Sequence, residues 1–431
     1  MERKIYGELS EWKNSRDRKP LILQGARQVG KTYIVNYFAG KEYANSVYCN
    51  FEKDSGLHDF FKDLSPMQII KKLSAYKRRE IIPGSTLLIF DEIQACPEAI
   101  TSLKYFNEDA NEYHIIALGS LLGVSVNRGS FSFPVGKVQF MTLHPLDFEE
   151  YLMAREEHGL IEMIRECYNT STPLDSAFHE RALDYYREYL FVGGMPEVVE
   201  EYGKNANAEL TRIKQADILE SYHNDMGKYN KQSEIPKTKI VYKNISTQLA
   251  KENKKFQYKS IKQGGRASEF EAAIEWLCLS GIASQVYRIE QIMLPMNAYR
   301  SLSDFKFYMN DVGLCGASQD IHFDDILAEN PLLDNFKGGL TENYVFNQLN
   351  ANGFPLYYWT SRSRAEVDFI TRIGNDIIPI EVKAKLNNRS KSLALYCERN
   401  APAYSIRISQ KNFGFENNIR SVPLYAVFCI K

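Results

Sequence analysis

The chain has 431 residues and carries 53 Lys and Arg against 54 Asp and Glu, a formal net charge of −1. That balance excludes attachment to nucleic acid through a global basic field, so any such contact must come from a local patch. At 44% hydrophobic and 25% charged residues it reads as an ordinary globular chain with several domains, and no apolar run approaches the ~18 residues needed to span a bilayer.

In chain order, Leu21-Ile22-Leu23 is a short apolar run of strand type. It leads into Gly25-Ala26-Arg27-Gln28-Val29-Gly30-Lys31-Thr32, which fits G-x-x-x-x-G-K-[ST]. The glycines let the backbone turn tightly, so that successive N–H groups point at phosphate oxygens. Lys31 is placed to reach the β- and γ-phosphates of ATP, and the Thr32 hydroxyl to hold Mg²⁺. Tyr33–Phe38 suits a helix, whose N-terminus favours an anion. Ser46–Phe51 reads as a second strand. Ser85–Glu92 is an apolar strand ending in two acids. In a parallel sheet, ligands sit beyond the carboxyl ends of the strands. Asp91 there supports Mg²⁺, and Glu92, one residue further out, is placed to polarise the attacking water. His114–Gly119 is another strand, and the Ser120 hydroxyl at its end is placed to contact the γ-phosphate or the water. Lys137–Leu143 completes five strands separated by helical segments, which predicts a three-layer α/β domain. From Pro145 to about Tyr202 the chain reads as helical. It is broken at Ser171-Thr172-Pro173, and Gly193-Gly194-Met195-Pro196 forms a turn with Pro at a helix start.

These segments resemble the AAA+ division of P-loop ATPases, with Walker A at Gly25–Thr32, Walker B at Leu87–Glu92 and a sensor-1 position at Ser120. Phe90-Asp91-Glu92-Ile93-Gln94, Leu143-His144-Pro145-Leu146 with Phe148-Glu149-Glu150, and Gly193-Gly194-Met195-Pro196 are similar to a widespread prokaryotic family of these ATPases. Its members carry a C-terminal domain of unknown function. The resemblance implies a helical lid after the core, ending near residue 204. Where such proteins often show Gly-Arg before the last strand of the core, this chain has Gly136-Lys137. Lys lacks the planar fork of Arg, and Arg128 is the substitute candidate for a γ-phosphate contact.

Residues 205–330 hold helical stretches rich in Lys and Asn, then two short strands at 282–287 and 305–309. Helices followed by a hairpin predict a winged-helix-like module. Lys251, Lys254, Lys255, Lys259, Lys262 and Arg266 cluster just upstream. They read either as a solvated helix face or as a patch contacting DNA phosphates without reading bases.

Residues 331–431 hold a second constellation. Glu342 falls on a predicted helix, Asp368 on a strand, and Glu381 and Lys383 on the returning strand of the same hairpin, two residues apart and so on one face. Two carboxylates can hold a divalent ion, and a lysine beside it can orient or deprotonate water. The order of these residues resembles the PD-(D/E)XK nuclease fold, which implies a second Mg²⁺ or Mn²⁺ at Asp368 and Glu381. The alternative is a nuclease-like fold kept for binding, with a salt bridge where the metal would be.

The sequence thus predicts an α/β protein in three parts: residues 1–204 an AAA+ core with lid, 205–330 winged-helix-like, 331–431 nuclease-like. The leading reading is Mg²⁺-dependent ATP hydrolysis used as a switch or motor in a nucleic-acid-associated process. One rival is an ATP-binding regulatory or assembly module with an inactive docking domain, and another is an ATP-gated DNA nuclease. Expected partners are ATP, DNA through 251–266 and the C-terminal domain, and further copies of the chain in a homo-oligomer. The seven cysteines, none in a C-x-x-C pair, and an N-terminus without an apolar signal predict a cytoplasmic location and no membrane partner.

Overall fold

The computed structural model describes residues 1–120, 133–328, 330–361, 365–385 and 391–431. By compactness these fall into two units, residues 2–144 with 279–281, and residue 1 with 145–278 and 282–431.

In the first unit, β1 (Leu21–Gln24), β2 (Asn45–Asn50), β3 (Thr86–Asp91), β4 (His114–Gly119) and β5 (Gln139–Thr142) form a five-stranded sheet in the order β2-β3-β4-β1-β5. Every neighbouring pair is parallel. Helices α1 (Ile5–Asn14), α2 (Lys31–Glu42), α3 (Pro66–Lys77) and α4 (Pro97–Asp109) accompany it. The central strands β3 and β4 are buried along their whole length. That is why they read as continuous apolar runs rather than as alternation. Ile22, Leu88, Phe90, Ile115 and Ala117 from the strands share a core with Ile69 and Leu73 of α3 and Leu103 and Phe106 of α4. Parallel pairing puts every carboxyl end on one edge: Gln24 lies opposite Gly119 and Thr142, and Asn50 opposite Asp91.

The second unit begins with helices α5 (Phe148–Ala154), α6 (His158–Thr170), α7 (Ser176–Val192), α8 (Pro196–Asn205), α9 (Ala208–Tyr229), α10 (Ile235–Leu249), α11 (Tyr258–Ile261) and α12 (Ala267–Leu279). The hairpin β6 (Ala283–Ile289) and β7 (Arg300–Met309) follows, then α13 (Val312–Ala317), α14 (Phe323–Leu327) and α15 (Asp334–Ala351). The chain ends with β8 (Tyr357–Thr360), β9 (Glu366–Ile373), β10 (Asp376–Val382), α16 (Lys391–Asn400), β11 (Ser405–Ser409), β12 (Gly414–Glu416) and β13 (Ile419–Pro423). Among the described residues these strands make one eight-stranded mixed sheet, β12-β13-β11-β10-β9-β8-β6-β7.

The helix–helix–hairpin order expected for 205–330 is present, but its hairpin does not end as a free wing. β6 also pairs in parallel with β8, Tyr287 opposite Tyr357 and Arg288 opposite Tyr358. A hairpin leaves one edge of each strand unpaired, and β8 covers that edge of β6. The expected boundary at 330 therefore does not separate two sheets. The helices of 145–204, expected as a lid on the P-loop core, are counted with this second unit. Their contacts show why: the Tyr186 ring lies 5.0 Å from that of Tyr344 on α15, and the Gly194 N–H donates to Asp311 at 2.6 Å.

Two motifs of the sequence are structural here. Asp147 caps α5: its carboxylate accepts from the Glu150 N–H at 2.9 Å while the Glu150 side chain accepts from the Asp147 N–H at 3.3 Å. Gly193-Gly194 is a close backbone approach. A Cβ at Gly194 would stand 2.0 Å from the Leu146 carbonyl oxygen, and one at Gly193 would stand 2.3 Å from the Asp311 carboxylate. Since the Leu146 N–H also donates to the Gly194 carbonyl at 2.7 Å, the two backbones cannot separate without losing that bond. Gly194→Ala is expected to destabilise the protein by about 1–3 kcal/mol or more, the usual cost of overpacking against an unyielding neighbour. A thermal melt of the full chain checks this, and a melting temperature equal to wild type would contradict the close approach.

Candidate nucleotide site and the C-terminal charge cluster

Residues 25–30 form the loop between β1 and α2. Gly25 is packed so that a Cβ would stand 2.2 Å from the Leu143 carbonyl oxygen, and its φ of +145° lies outside the range other residues favour. Gly30 precedes α2 with a left-handed φ of 92°. Between them Gln28 also has positive φ, at 67°, and Ala26 and Val29 turn inward and are buried. The loop thus closes on the N-terminus of α2, where free backbone N–H groups and the helix dipole suit an anion.

Lys31 is buried, and its ammonium donates to the carbonyls of Gly25 and Ala26, both at 2.8 Å. Burial lowers its pKa to about 8, against the opposing pull of Glu92 and Asp91. The Thr32 hydroxyl donates to the Asp91 carboxylate at 3.1 Å. Motifs 59 residues apart therefore meet at one oxygen. Glu92 continues from β3 with a left-handed backbone, φ 51° and ψ 45°, which takes it out of the strand path and is uncommon for a residue with a side chain. Its N–H donates to the Asp91 side chain at 3.0 Å, and its carboxylate accepts from the Gln94 amide at 2.5 Å. Burial raises the Glu92 pKa, partly offset by that amide. Ser120 directly follows β4, the strand lying between β1 and β3. It therefore stands at the same edge, beside the loop that follows β1.

Three further residues at this site are given no role by the sequence, although Gln94 ends the Phe90–Gln94 segment that carries the resemblance. Arg3 sends one guanidinium nitrogen to the Val29 carbonyl at 3.1 Å and the other to the His144 carbonyl at 2.7 Å, bracing the loop from the N-terminus. Tyr48 donates to the same Asp91 oxygen that Thr32 contacts. Gln94 fixes one oxygen of Glu92. Lys137 is placed otherwise than a phosphate contact requires. It precedes β5, at the amino edge of the sheet, a strand length of roughly 13 Å from the carboxyl edge, and it pairs with Glu108 at 2.9 Å. Arg128 lies outside the described residues.

These groups fit Mg²⁺-ATP: an anion cradle, the buried Lys31 ammonium, and a hydroxyl and a carboxylate converging where Mg²⁺ would be held by Thr32 and Asp91. The other predicted site does not fit its metal. Glu342 on α15 is buried and accepts from Lys306 at 2.8 Å, from Tyr308 at 2.5 Å and from Lys254. Burial alone would raise its pKa, but the two ammonium groups outweigh that and hold it well below the usual carboxylate range. Asp368 accepts from the Val382 N–H at 2.8 Å, and Lys383 pairs with Glu381 at 2.6 Å, as the shared strand face predicts. Burial, with Glu342 and Glu381 nearby, pushes the Asp368 pKa well up. So Glu342, Asp368, Glu381 and Lys383 do come together, but with lysines among them. Among the described residues no group of three or more His, Cys, Asp or Glu is arranged to hold a metal ion.

The basic segment 251–266 is not one free face. Lys254 pairs with Glu342, Lys255 with Asp304 and Lys262 with Glu269, and the Lys251 ammonium donates to the Ser260 hydroxyl at 3.0 Å. No described helix is long and apolar enough to cross a membrane.

Residues 17–152 match the model of an AAA domain. Residues 183–325 and 337–427 match two domains of unknown function, DUF8612 and DUF4143. The chain thus carries a segment that matches an AAA domain, followed by two that match domains of unknown function. No curated protein matches the sequence significantly. Similar solved structures include the Aeropyrum pernix ORC2 protein in ADPNP-ADP complexes, at 12% identity over 76% of this chain and 96% of that one, TM-score 0.37. The Aeropyrum pernix ORC1 protein in complex with DNA is 13% identical over 75% and 92%, TM-score 0.27. The Thermotoga maritima RuvB Holliday junction branch migration motor is 13% identical over 64% and 85%, TM-score 0.29. These TM-scores are too low to carry a conclusion, so the domain assignment stands on the sequence match and the sheet.

The lowered pKa of Lys31 has a testable sign. Phosphate binding favours the charged ammonium, which is already present below about pH 8 and must be regained by proton uptake above it. The dissociation constant for ATP is expected to be flat from pH 6 to 7 and to rise about tenfold between pH 7 and 9. Titration with a fluorescent nucleotide measures it, and a constant unchanged to pH 9 would contradict the burial of this cation.

Proposed function

We propose that the chain binds ATP at the Gly25–Thr32 loop and hydrolyses it, with Glu92 as the group that activates water, and that turnover serves as a conformational switch. The observation that carries this is the meeting of the Thr32 hydroxyl and the Asp91 carboxylate at 3.1 Å. Lys31 orients the β- and γ-phosphates and offsets charge on the oxygens of the transferring group. Mg²⁺, when held by Thr32 and Asp91, would neutralise phosphate charge. Glu92 takes a proton from the attacking water, while the Gln94 amide holds one carboxylate oxygen and leaves the other for that task. The Ser120 hydroxyl contacts the γ-phosphate or the water. Glu92→Gln keeps the shape and removes the base, so ATP binding is retained and turnover falls by about 10²–10⁴-fold. Steady-state phosphate release with a parallel binding titration tests this. Wild-type turnover in the variant would remove Glu92 from the role.

The second unit is read as a docking module that the ATPase acts with, rather than as a nuclease. The observation favouring it is the engagement of Glu342 by Lys254, Lys306 and Tyr308. If its partner is DNA, the exposed cations of this segment with no acid partner among the described residues, Lys251, Lys259 and Arg266, are the ones to hold phosphate. Replacing these three by Gln is then expected to weaken binding alike on all sequences. It should also flatten the salt dependence by about one unit per lost phosphate contact. A salt slope equal to wild type would leave them as a solvated face.

A further inference from the structure

Lys306 lies in β7 between two aromatic residues, Phe305 and Phe307, yet its side chain is fully buried. Its ammonium stands 2.8 Å from Glu342, 2.6 Å from Glu366 and 3.8 Å from Asp368. The Tyr358 ring lies beneath it with its centroid at 5.2 Å. Three carboxylates from α15 and β9 thus face one nitrogen. A divalent ion bound by the same oxygens would stand about 2.0–2.6 Å from them. At the oxygens of Glu342 and Glu366, 2.8 and 2.6 Å from the nitrogen, it would overlap the ammonium, so the two cannot share the site. Lys254 and Lys383 supply the remaining positive charge at the cluster edge, to Glu342 and Glu381.

We propose that the Lys306 ammonium is the resident cation of this carboxylate cluster, standing where a nuclease-like site would hold its metal, and that a divalent ion enters only when that ammonium is removed. The physical reason is charge compensation. Buried carboxylates need a cation close by, and once the chain supplies its own, a metal ion must displace it at the cost of an unpaired buried lysine. The region is not sealed: a cleft of about 670 Å³, lined among others by Lys255, Arg288, Asp304, Tyr358 and Glu366, shares Glu366 with the cluster. Small cations therefore have a path to it, and exclusion rests on occupancy rather than on access. The inference deepens the docking reading of this unit and rests on it.

The test is Mn²⁺ binding to the full chain without nucleotide, followed by the electron paramagnetic resonance of free Mn²⁺. Wild type and Asp368→Asn are expected to bind Mn²⁺ identically, because Asp368 faces an ammonium and not a metal. Lys306→Gln is expected to gain one Mn²⁺ per chain, with affinity of about 10⁻⁴–10⁻³ M for a site of oxygen ligands, and to lose it again in the Lys306→Gln, Asp368→Asn double variant. A Mn²⁺ site in wild type that vanishes in Asp368→Asn would overturn the proposal, and that comparison does not require Lys306→Gln to fold. A folded Lys306→Gln that gains no Mn²⁺ would also overturn it. Mn²⁺-dependent DNA cleavage by wild type that survives Asp368→Asn would defeat the docking reading and leave the occupancy of this cluster as measured.

Discussion

Parallel strand pairing is the constraint on which the nucleotide site depends. When neighbouring strands run the same way, each must be reached by a crossover, and every carboxyl end arrives at one edge. Residues far apart in sequence are thereby gathered: the loop after β1, the acids ending β3 and the hydroxyl after β4. No local pattern joins Thr32 to Asp91; the sheet does. The same pairing places Lys137, which precedes β5, at the other edge and ties it to Glu108.

The two units solve a shared problem in different ways. Each gathers carboxylates in a place of low dielectric and must balance their charge. In the first unit the acids meet neutral donors and a nearby lysine held by neutral carbonyls. Asp91 receives hydroxyl donors from Thr32 and Tyr48, and Lys31 rests on neutral carbonyls that phosphate oxygens can replace. In the second unit the balance is built into the chain, with Lys306 set between Glu342 and Glu366. Exchangeable partners suit a site that turns over substrate, whereas fixed ones suit a site that keeps its shape. The contrast supports placing chemistry in the first unit and attachment in the second.

The legible parts of the sequence are those whose physics is local. Eight consecutive residues specify the phosphate loop, since the glycines, Lys31 and Thr32 act within one turn of chain. The strands β3 and β4 are readable because burial on both faces demands unbroken apolar runs. The hairpin of Asp368 and Glu381 is readable from its two short apolar runs and the Gly374-Asn375 turn between them. Pairings of distant segments are not readable. Nothing near Tyr287 announces Tyr357 as its neighbour, so the sequence does not show that strands before and after residue 330 share one sheet. Arg3 looks like part of a charged terminus and braces the loop instead. Nothing in the strand around Lys306 announces a buried lysine; the carboxylates of α15 and β9 that face it account for one. The metal expected at Asp368 and Glu381 is not supported by the arrangement, and the cation facing Asp368 comes from a different strand, β7, far upstream.

The central claim is that the Gly25–Thr32 loop is a working nucleotide site, and Lys31 is the group through which it stands most exposed to test. ATP affinity and single-turnover hydrolysis should be measured on wild type and on Lys31→Ala. The account predicts tight, Mg²⁺-dependent ATP binding with turnover in wild type. It also predicts loss of both in the variant, because the β- and γ-phosphates lose the lysine placed to reach them. Equal affinity in the two proteins would contradict it.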